Sequence, residues 1–437
     1  MIAESEEVCV EDLIDEIAMG PFGSNIKTDC FVNSGIPVFN GSNLTGFETN
    51  DTALRYVTPE KANSLGNALA SRGDIVITHR GTLGQVAMVP YDSKYPRYVI
   101  SQSQFRIRCN DKVLPKFFVY YFHTREGQWR LLSNKTQTGV PALGRPTSTF
   151  RKLSMPLPTF EKQAKIVQVI DTIQKKIKNN SKLNGYLAVQ CEAIAERATG
   201  ENTVLESLCD LVTEKADCSE ADFDTYVSTE SLLPNKMGRQ IASSLPQTGK
   251  VTVYQAGDIL ISNIRPYFKK IWYADQAGTC SGDVLVFRAK QPEWAGYLYS
   301  CLRNDSFFDF VMKGAKGTKM PRGDKKQMLT YVVSASPNQL VIGFMTSALK
   351  HISTANKESE HLAALRDALL PKLMSGEVDV SKVNLTQLNS HLAEILRPFG
   401  CHIPAIQKRG SPHSCEPPRT PGYRVIRPTS TTPLLPK

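Results

Sequence analysis

Side chains that can hydrogen-bond the edges of nucleic-acid bases gather in two segments of the first third of the chain. The segment 78–85, Thr-His-Arg-Gly-Thr-Leu-Gly-Gln, contains Arg80 and Gln85. A later segment contains Lys135, Gln137 and Arg145. Arginine and lysine suit guanine and glutamine suits adenine in the major groove, while glycine lets a backbone approach closely. These residues predict a surface that contacts double-stranded DNA.

A second set of such side chains lies near residues 263 to 326. Six of its members are predicted DNA contacts: Asn263, Arg265, Lys269, Lys316, Lys319 and Arg322. Between Arg303 and Lys326 there are seven basic residues and three acidic ones, and between Arg125 and Lys152 there are six and one. Clustered cations bind phosphates without regard to sequence. Any single one of them could instead be an ordinary solvated surface charge.

An alternative chemistry is metal-dependent cleavage. Asp74, Asp92 and Lys94 follow a spacing that could hold Mg²⁺ in a nuclease. In the second half, however, Asp275 corresponds to Asp92. It is followed by Gln276 and Ala277, so the lysine does not recur. Asp74 also follows a glycine, and a role in the turn is sufficient to explain it.

Other catalytic and metal-binding patterns are missing from the sequence. It contains no phosphate-binding glycine–lysine loop and no Asn-Pro-Pro-Tyr methyltransferase motif. The ten cysteines do not have zinc-ligand spacing. His79 has no neighbouring acids or histidines and is interpreted as a polar loop residue. We therefore expect a chain that is not an enzyme, holds no metal and carries no cofactor.

The elements that would position these side chains occur twice. Arg72-Gly-Asp-Ile-Val-Ile-Thr78 resembles Ala256-Gly-Asp-Ile-Leu-Ile-Ser262, and each pattern predicts a turn followed by a strand. A second strand, an aromatic helix and a polar basic loop then follow in both halves. This internal repeat is the most informative feature of the sequence.

Each half ends in a long helical pattern with a seven-residue apolar repeat. The predicted seam residues of the two helices are Ile166, Ile170, Ile173, Ile177, Leu187, Val341, Met345, Ile352, Leu362 and Leu369. Asn180 and Asn184 fall on the first stripe, as polar residues that fix register in coiled coils do. The two helices could pair with each other, or each could pack on its own globular domain.

These patterns predict an α+β fold with a pseudo-twofold internal repeat. Two similar globular domains with small twisted sheets are separated by two long antiparallel coiled-coil helices. The expected boundaries are 1–158 and 199–337 for the domains, 159–198 and 338–375 for the helices, and 376–437 for a disordered basic tail rich in proline.

The net charge of +10 is weak evidence for nucleic-acid binding, because the segment from Pro398 onward carries half of it. No stretch reaches the roughly 20 apolar residues of a membrane span. The first ten residues hold acidic but no basic side chains, unlike a signal peptide. We expect a cytoplasmic protein that does not contact a membrane.

The order of these motifs resembles the specificity subunit of type I restriction–modification enzymes. The resemblance rests on Gly20-Pro-Phe-Gly-Ser24, the Gly-Asp-Ile strand, Met155-Pro-Leu-Pro-Thr-Phe-Glu-Lys-Gln163 before a long helix, and a repeat ending in Leu370-Pro-Lys-Leu-Met-Ser-Gly376. It covers roughly residues 8 to 383. The second half departs from it, because it lacks a Gly-Pro-Phe-Gly-Ser segment and has only a degraded proline–glutamine segment.

The resemblance implies that each domain reads one half of a split DNA site and that the helices act as a spacer. It also implies two methyltransferase subunits that bring S-adenosylmethionine, and motor and nuclease subunits that use ATP and Mg²⁺. The competing hypotheses are a coiled-coil scaffold with incidental DNA binding and a magnesium-dependent nuclease.

Overall fold

The computed structural model describes residues 6–135, 140–198, 201–334 and 338–382. They form two lobes, the first lobe (residues 6–157) and the second lobe (residues 201–334), and two long helices. Gln137 and the segment from residue 383 onward lie outside the described residues. The mixture of helices with small sheets confirms the predicted α+β class.

The first lobe contains eleven strands and four helices among its described residues. The strands are β1 (Glu6–Cys9), β2 (Ile14–Met19), β3 (Phe31–Val32), β4 (Ile36–Val38), β5 (Arg55–Val57), β6 (Leu69–Ser71), β7 (Ile75–Thr78), β8 (Val86–Met88), β9 (Arg97–Val99), β10 (Gln104–Cys109) and β11 (Ser154–Leu157). The helices are α1 (Pro59–Ser64), α2 (Pro115–His123), α3 (Arg125–Leu132) and α4 (Pro146–Arg151).

The first long helix is α5 (Phe160–Glu196), and the second lobe follows it. The strands of the second lobe are β12 (Asn202–Val204), β13 (Cys209–Leu211), β14 (Lys215–Asp217), β15 (Lys250–Tyr254), β16 (Ile259–Ser262), β17 (Ile271–Tyr273), β18 (Gly278–Cys280), β19 (Val284–Ala289) and β20 (Val332–Ser334). Its helices are α6 (Ala295–Arg303), α7 (Asp305–Lys313) and α8 (Lys325–Leu329), and the second long helix is α9 (Gln339–Met374).

The same strand order recurs in the two lobes. A four-stranded antiparallel sheet runs β2-β10-β7-β8 in the first lobe and β13-β19-β16-β17 in the second. Each lobe is closed by a two-stranded sheet that pairs its first strand with its last, β1 with β11 and β12 with β20. The remaining sheet differs, with order β3-β5-β4-β9-β6 in the first lobe and β14-β15-β18 in the second.

The Gly-Asp turn starts the central strand of each main sheet. Gly73 and Gly257 have φ values of +88° and +94°, which residues with a side chain rarely adopt. Each following aspartate accepts a backbone N–H three residues back, Ser71 to Asp74 at 2.9 Å and Gln255 to Asp258 at 2.8 Å. The turn therefore delivers β7 and β16 into the core, where all four residues of each strand are buried.

The core of each lobe lies between the main sheet and the helices that follow it. In the second lobe, Ile259, Phe287 and Leu298 belong to one buried cluster with Phe307 and Val311. In the first lobe the corresponding space holds aromatic rings, because Phe105, Phe118 and Phe122 all lie around Phe150. Burial of such rings stabilises each lobe by roughly 2–3 kcal/mol per side chain.

The long helices pair with each other in antiparallel orientation. Asn180 Nδ2 donates to Glu358 Oε2 at 2.7 Å, and Asn184 Nδ2 donates to Asn356 Oδ1 at 2.8 Å. These contacts lie near the middle of both helices. The ten predicted seam residues are all buried or half-buried. The helices contain 37 and 36 residues, so the pair forms a rod of ~55 Å at about 1.5 Å per residue.

The two long helices begin differently. Gln163 is buried at the start of α5, where its side chain accepts from the Leu114 N–H at 2.9 Å and donates to the carbonyls of Lys112 and Pro158. At the start of α9, Gln339 is exposed. There the Asn338 side chain caps the helix by accepting from the Leu340 N–H at 2.8 Å. The degraded proline–glutamine segment therefore reflects a different helix start.

Candidate nucleic-acid interface

Two loops meet in each lobe. The strand loop (residues 79–85 and 263–270) follows the central strand β7 or β16, and the basic loop (residues 133–135 with 140–145, and 314–324) follows α3 or α7. In the first lobe, Gly81 N–H donates to the Pro141 carbonyl at 2.9 Å, and Leu143 N–H donates to the His79 carbonyl at 2.8 Å.

The backbone contacts of the second lobe repeat this pattern. Arg265 N–H donates to the Pro321 carbonyl at 2.8 Å, and Gly323 N–H donates to the Asn263 carbonyl at 3.3 Å. Lys316 and Arg322 also exchange two N–H···O bonds of 2.9 Å. The two clusters that the sequence suggested in each half are thus one surface in each lobe.

The predicted cations of the first lobe are exposed and lack acidic partners among the described residues. Arg80, Lys135 and Arg145 are exposed. Within the described residues, none of the three forms an ion pair. A guanidinium or ammonium group of this kind can bind a phosphate or a base edge without first breaking an internal contact.

The predicted cations of the second lobe are mostly paired with acids. Lys316 lies 3.1 Å from Asp324, and Arg322 lies 3.1 Å from Asp283. Lys269 lies 2.9 Å from Asp305. Close to this pair, Lys236 forms an ion pair with Glu192 of α5. Exposed Lys319 has no ion pair among the described residues. DNA contact by the paired cations requires an exchange of partners.

The two predicted base-reading amides differ in their contacts inside the protein. Gln85 Oε1 accepts from the Thr78 hydroxyl at 2.9 Å, and its Nε2 donates to the Gly41 carbonyl at 2.9 Å. Gln85 therefore holds the strand loop against residue 41, and base reading by it stays a prediction. Asn263 is 8% exposed, and its Oδ1 has no hydrogen-bond partner among the described residues.

Three predicted DNA contacts have left-handed backbone. The φ values of Arg145, Arg265 and Lys269 are +46°, +51° and +52°. This conformation costs a residue with a side chain about 1–2 kcal/mol. Such strain concentrates at functional sites, where the surrounding structure holds it in place.

Residues outside the sequence prediction also shape this surface. Gln128 of α3 donates to the Gly84 carbonyl at 2.8 Å and so fixes the first strand loop from behind. Tyr267 and Phe268, in the second strand loop, are 48% and 39% exposed. The sequence shows this pair as two adjacent aromatic residues in a basic loop, a signal that could have identified them.

His79 lies within the first strand loop as a neutral group. Burial lowers its pKa, and its Nε2 lies 3.1 Å from the Gln102 carbonyl. A histidine whose pKa falls is uncharged at neutral pH, so it adds no positive charge to the surface.

The aspartate of the nuclease alternative is bound to arginines. Asp74 is 1% exposed, and Arg108 donates to its two oxygens at 2.9 and 3.2 Å. Asp258 accepts the same two bonds from Arg288 at 2.8 and 2.7 Å. Because each buried carboxylate is bound by the guanidinium of a partly exposed arginine, a structural ion pair explains both residues. No group of three or more potential metal ligands occurs within the described ranges.

The first part of the chain matches a known protein family. Residues 4–186 match the family described as "Type I restriction modification DNA specificity domain". No curated protein sequence matches the chain. No described helix is both long and apolar enough to cross a membrane.

A solved structure shows the same fold. The S subunit of a type I restriction–modification system from M. genitalium is 14% identical, with a TM-score of 0.50 over 85% of this chain and 96% of that one. The HsdS subunit from Thermoanaerobacter tengcongensis is 14% identical over 85% of this chain and 97% of that one, with a TM-score of 0.34. The chain is thus of the class that carries a DNA specificity domain. Residues 4–186 match the type I restriction–modification specificity domain, and the fold resembles that of the M. genitalium S subunit.

Proposed function

We propose that this chain is the sequence-reading subunit of a type I restriction–modification complex. Each lobe reads one half of a bipartite DNA site, and the chain itself performs no catalysis. The observation that supports this most is the recurrence of one loop arrangement, Gly81 on Pro141 and Arg265 on Pro321, in a chain whose first 186 residues match a specificity domain.

The division of labour within each surface follows from its charges. Arg80, Lys135 and Arg145 in the first lobe, and Lys316, Lys319 and Arg322 in the second, supply phosphate and base contacts. Gln137 is proposed to belong to the same surface. Each phosphate contact adds affinity that falls with salt, and the contacts to base edges select the sequence.

The helix pair is proposed to set the gap between the half-sites. A rod of ~55 Å spans about 16 base pairs at ~3.4 Å per base pair, roughly one and a half turns of DNA. The polar contacts of Asn180 and Asn184 fix the register of the pair, as buried asparagines do in coiled coils. A fixed register keeps the gap constant.

The helices are also proposed to dock the catalytic partners. Leu183, Tyr186 and Val189 are spaced by three residues along α5 and are 44%, 70% and 61% exposed. Exposed apolar side chains along one helix suit a protein partner. Two methyltransferase subunits would bring S-adenosylmethionine, and motor and nuclease subunits would use ATP and Mg²⁺.

Methylome sequencing of cells that express the chain with its partner subunits tests the proposal. The expected result is methylation at a split site with a constant gap. A single continuous site, or methylation without sequence preference, would contradict it. Exchange of residues 205–337 for those of another family member should change one half-site only, and a change in both would show that the lobes are not independent readers.

The scaffold hypothesis predicts that the cations of the second lobe have no effect on target choice. Reversal of charge at Lys316, Lys319 and Arg322 would leave target choice unaltered if DNA contact were incidental. The nuclease hypothesis is tested by the purified chain with Mg²⁺ and plasmid, where DNA that stays intact rules it out.

A further inference from the structure

The second strand loop carries apolar side chains that its charges do not explain. Tyr267 and Phe268 are 48% and 39% exposed, and Met320 of the facing basic loop is 47% exposed. The bond from the Arg265 N–H to the Pro321 carbonyl brings this loop beside the basic loop, whose Lys316, Lys319 and Arg322 are the proposed phosphate contacts. Apart from the Tyr267 hydroxyl, these side chains offer no group that binds a phosphate, so their apolar surface suits another part of the ligand.

The aromatic pair is held rigidly. Arg265 and Lys269, at either end of it, have left-handed backbone, and Arg265 N–H is bonded to the Pro321 carbonyl. The Phe268 carbonyl accepts from the Asn235 N–H at 2.8 Å, and the Lys269 carbonyl accepts from the Lys236 N–H at 2.9 Å. Rings on so constrained a turn lose little entropy when they meet a partner.

The ring geometry limits the kind of contact. The two ring centroids are 4.7 Å apart at an interplanar angle of 53°, so each ring covers part of the other. The exposed remainder of the pair is an apolar surface that can pack against an apolar group at a base edge.

In the major groove, the apolar group at a base edge is the C5-methyl of thymine. The first strand loop, His-Arg-Gly-Thr-Leu-Gly-Gln, has glycines and no aromatic ring except His79. Val140 of the first basic loop is 57% exposed at the place that corresponds to Met320, so an apolar side chain there is common to both lobes. The aromatic pair of the strand loop occurs in the second lobe only, and the two strand loops therefore differ in chemistry at equivalent positions.

We infer that Tyr267 and Phe268 are specificity-determining residues that recognise a thymine methyl group in the second half-site. This inference rests on the proposed function, because it assigns one chemical feature of the DNA that the second lobe reads. It requires at least one A·T pair in that half-site.

The test uses the purified full-length chain with its methyltransferase partners and unmethylated duplexes that contain the site found by methylome sequencing. Each thymine of the second half-site is replaced in turn by uracil, which lacks only the methyl group. One such uracil should weaken binding about fourfold, the equivalent of ~0.8 kcal/mol for one buried methyl-sized group. The double variant Tyr267→Ala, Phe268→Ala should bind thymine and uracil duplexes equally.

Matched controls separate methyl recognition from other causes. Lys319→Ala should weaken binding to thymine and uracil duplexes by the same factor. The double variant Tyr267→Leu, Phe268→Leu keeps apolar groups and should retain part of the preference for thymine. Normal discrimination at the first half-site shows that the variants are folded.

Three results would overturn the inference. They are a second half-site without any A·T pair, wild-type binding that is indifferent to every uracil, and a double variant that still prefers thymine. Loss of the methyltransferase subunits from the double variant would assign the rings to a protein contact instead. If the chain showed no sequence-specific binding at all, the proposed function would fall together with this inference.

Discussion

The two lobes share their internal frame and differ on their outer surface. In both, an aspartate after a glycine accepts an N–H three residues back and pairs with an arginine of the neighbouring strand, Asp74 with Arg108 and Asp258 with Arg288. Within the described residues, the outer loops hold cations without acidic partners in the first lobe, and cations paired with acids beside exposed aromatics in the second. The repeat thus preserves what folds each lobe and varies what each lobe can contact.

The ion pair between the buried aspartate and its arginine occurs in both lobes, but the charged groups around it differ. Asp74 has a second arginine, because Arg106 Nη1 lies 3.6 Å from it, and Glu16 joins both arginines. Asp258 forms an ion pair with Arg288 alone among the described residues. The same buried carboxylate is therefore backed by a network in the first lobe and by one partner in the second.

The largest expected effect tests this difference. Arg288→Met leaves Asp258 buried without a counter-charge and should lower the free energy of unfolding of the second lobe by about 3 kcal/mol. The matched Arg108→Met variant keeps Arg106 near Asp74 and should cost about 1 kcal/mol. Native-state hydrogen exchange of the β16 and β7 amides measures the two lobes separately. Equal losses would show that Arg106 does not compensate.

The next effect concerns the starts of the long helices. Gln163→Ala leaves the Leu114 N–H and two carbonyls unpaired and should cost about 2 kcal/mol, with faster exchange of the Leu114 amide. Gln339→Ala, at the exposed start of α9, should change stability by less than about 0.5 kcal/mol. Thermal unfolding and amide exchange give both values. A large loss for Gln339→Ala would mean that the two helix starts are equivalent.

A smaller effect separates the free from the paired cations. Arg80→Ala with Arg145→Ala should reduce DNA affinity about tenfold and lower the salt slope by about 2, as expected for two lost phosphate contacts. Lys316→Ala with Arg322→Ala should reduce affinity less, by about threefold, because both cations must first leave an acid. Fluorescence anisotropy at several salt concentrations measures both. Identical losses would show that the internal pairs do not compete with DNA.

The smallest effect is a pH dependence confined to the second lobe. Hydrogen bonds from Lys236 and Lys269 lower the pKa of Asp305 from 3.8 to about 2. Because the pKa of Asp305 is lowered in the folded state, its ion pairs with Lys236 and Lys269 stabilise the folded state above pH 3.8. This stabilisation disappears as the pH falls through 2.

Asp305→Asn should therefore cost less than about 1 kcal/mol at neutral pH, since the carboxylate is largely exposed. The difference from wild type should shrink towards pH 2. The first lobe has Arg125 at the corresponding helix start, and Arg125→Gln serves as the control. Unfolding followed as a function of pH measures both variants. A difference that stays constant down to pH 2 would contradict this account of Asp305.

The order of strands and helices could be predicted from the sequence because it depends on local patterns. The Gly-Asp-Ile runs predicted β7 and β16, and the apolar heptads predicted two helices over 159–198 and 338–375, close to the observed Phe160–Glu196 and Gln339–Met374. The basic segments marked the two loops of each lobe. Turn residues and apolar periodicity act over a few residues, so one sequence is sufficient to reveal them.

The individual site residues depended on contacts across long sequence separations. Gln85 lies in a loop suited to base reading, yet Gly41 and Thr78 take both ends of its amide. Lys316 and Arg322 look like Arg80 in the sequence, and only the fold brings Asp324 and Asp283 beside them. Side-chain types set what each loop could bind, because donors and charges are fixed by the residue. Tertiary structure decided which of those groups remain available, because partners far apart along the chain compete for them.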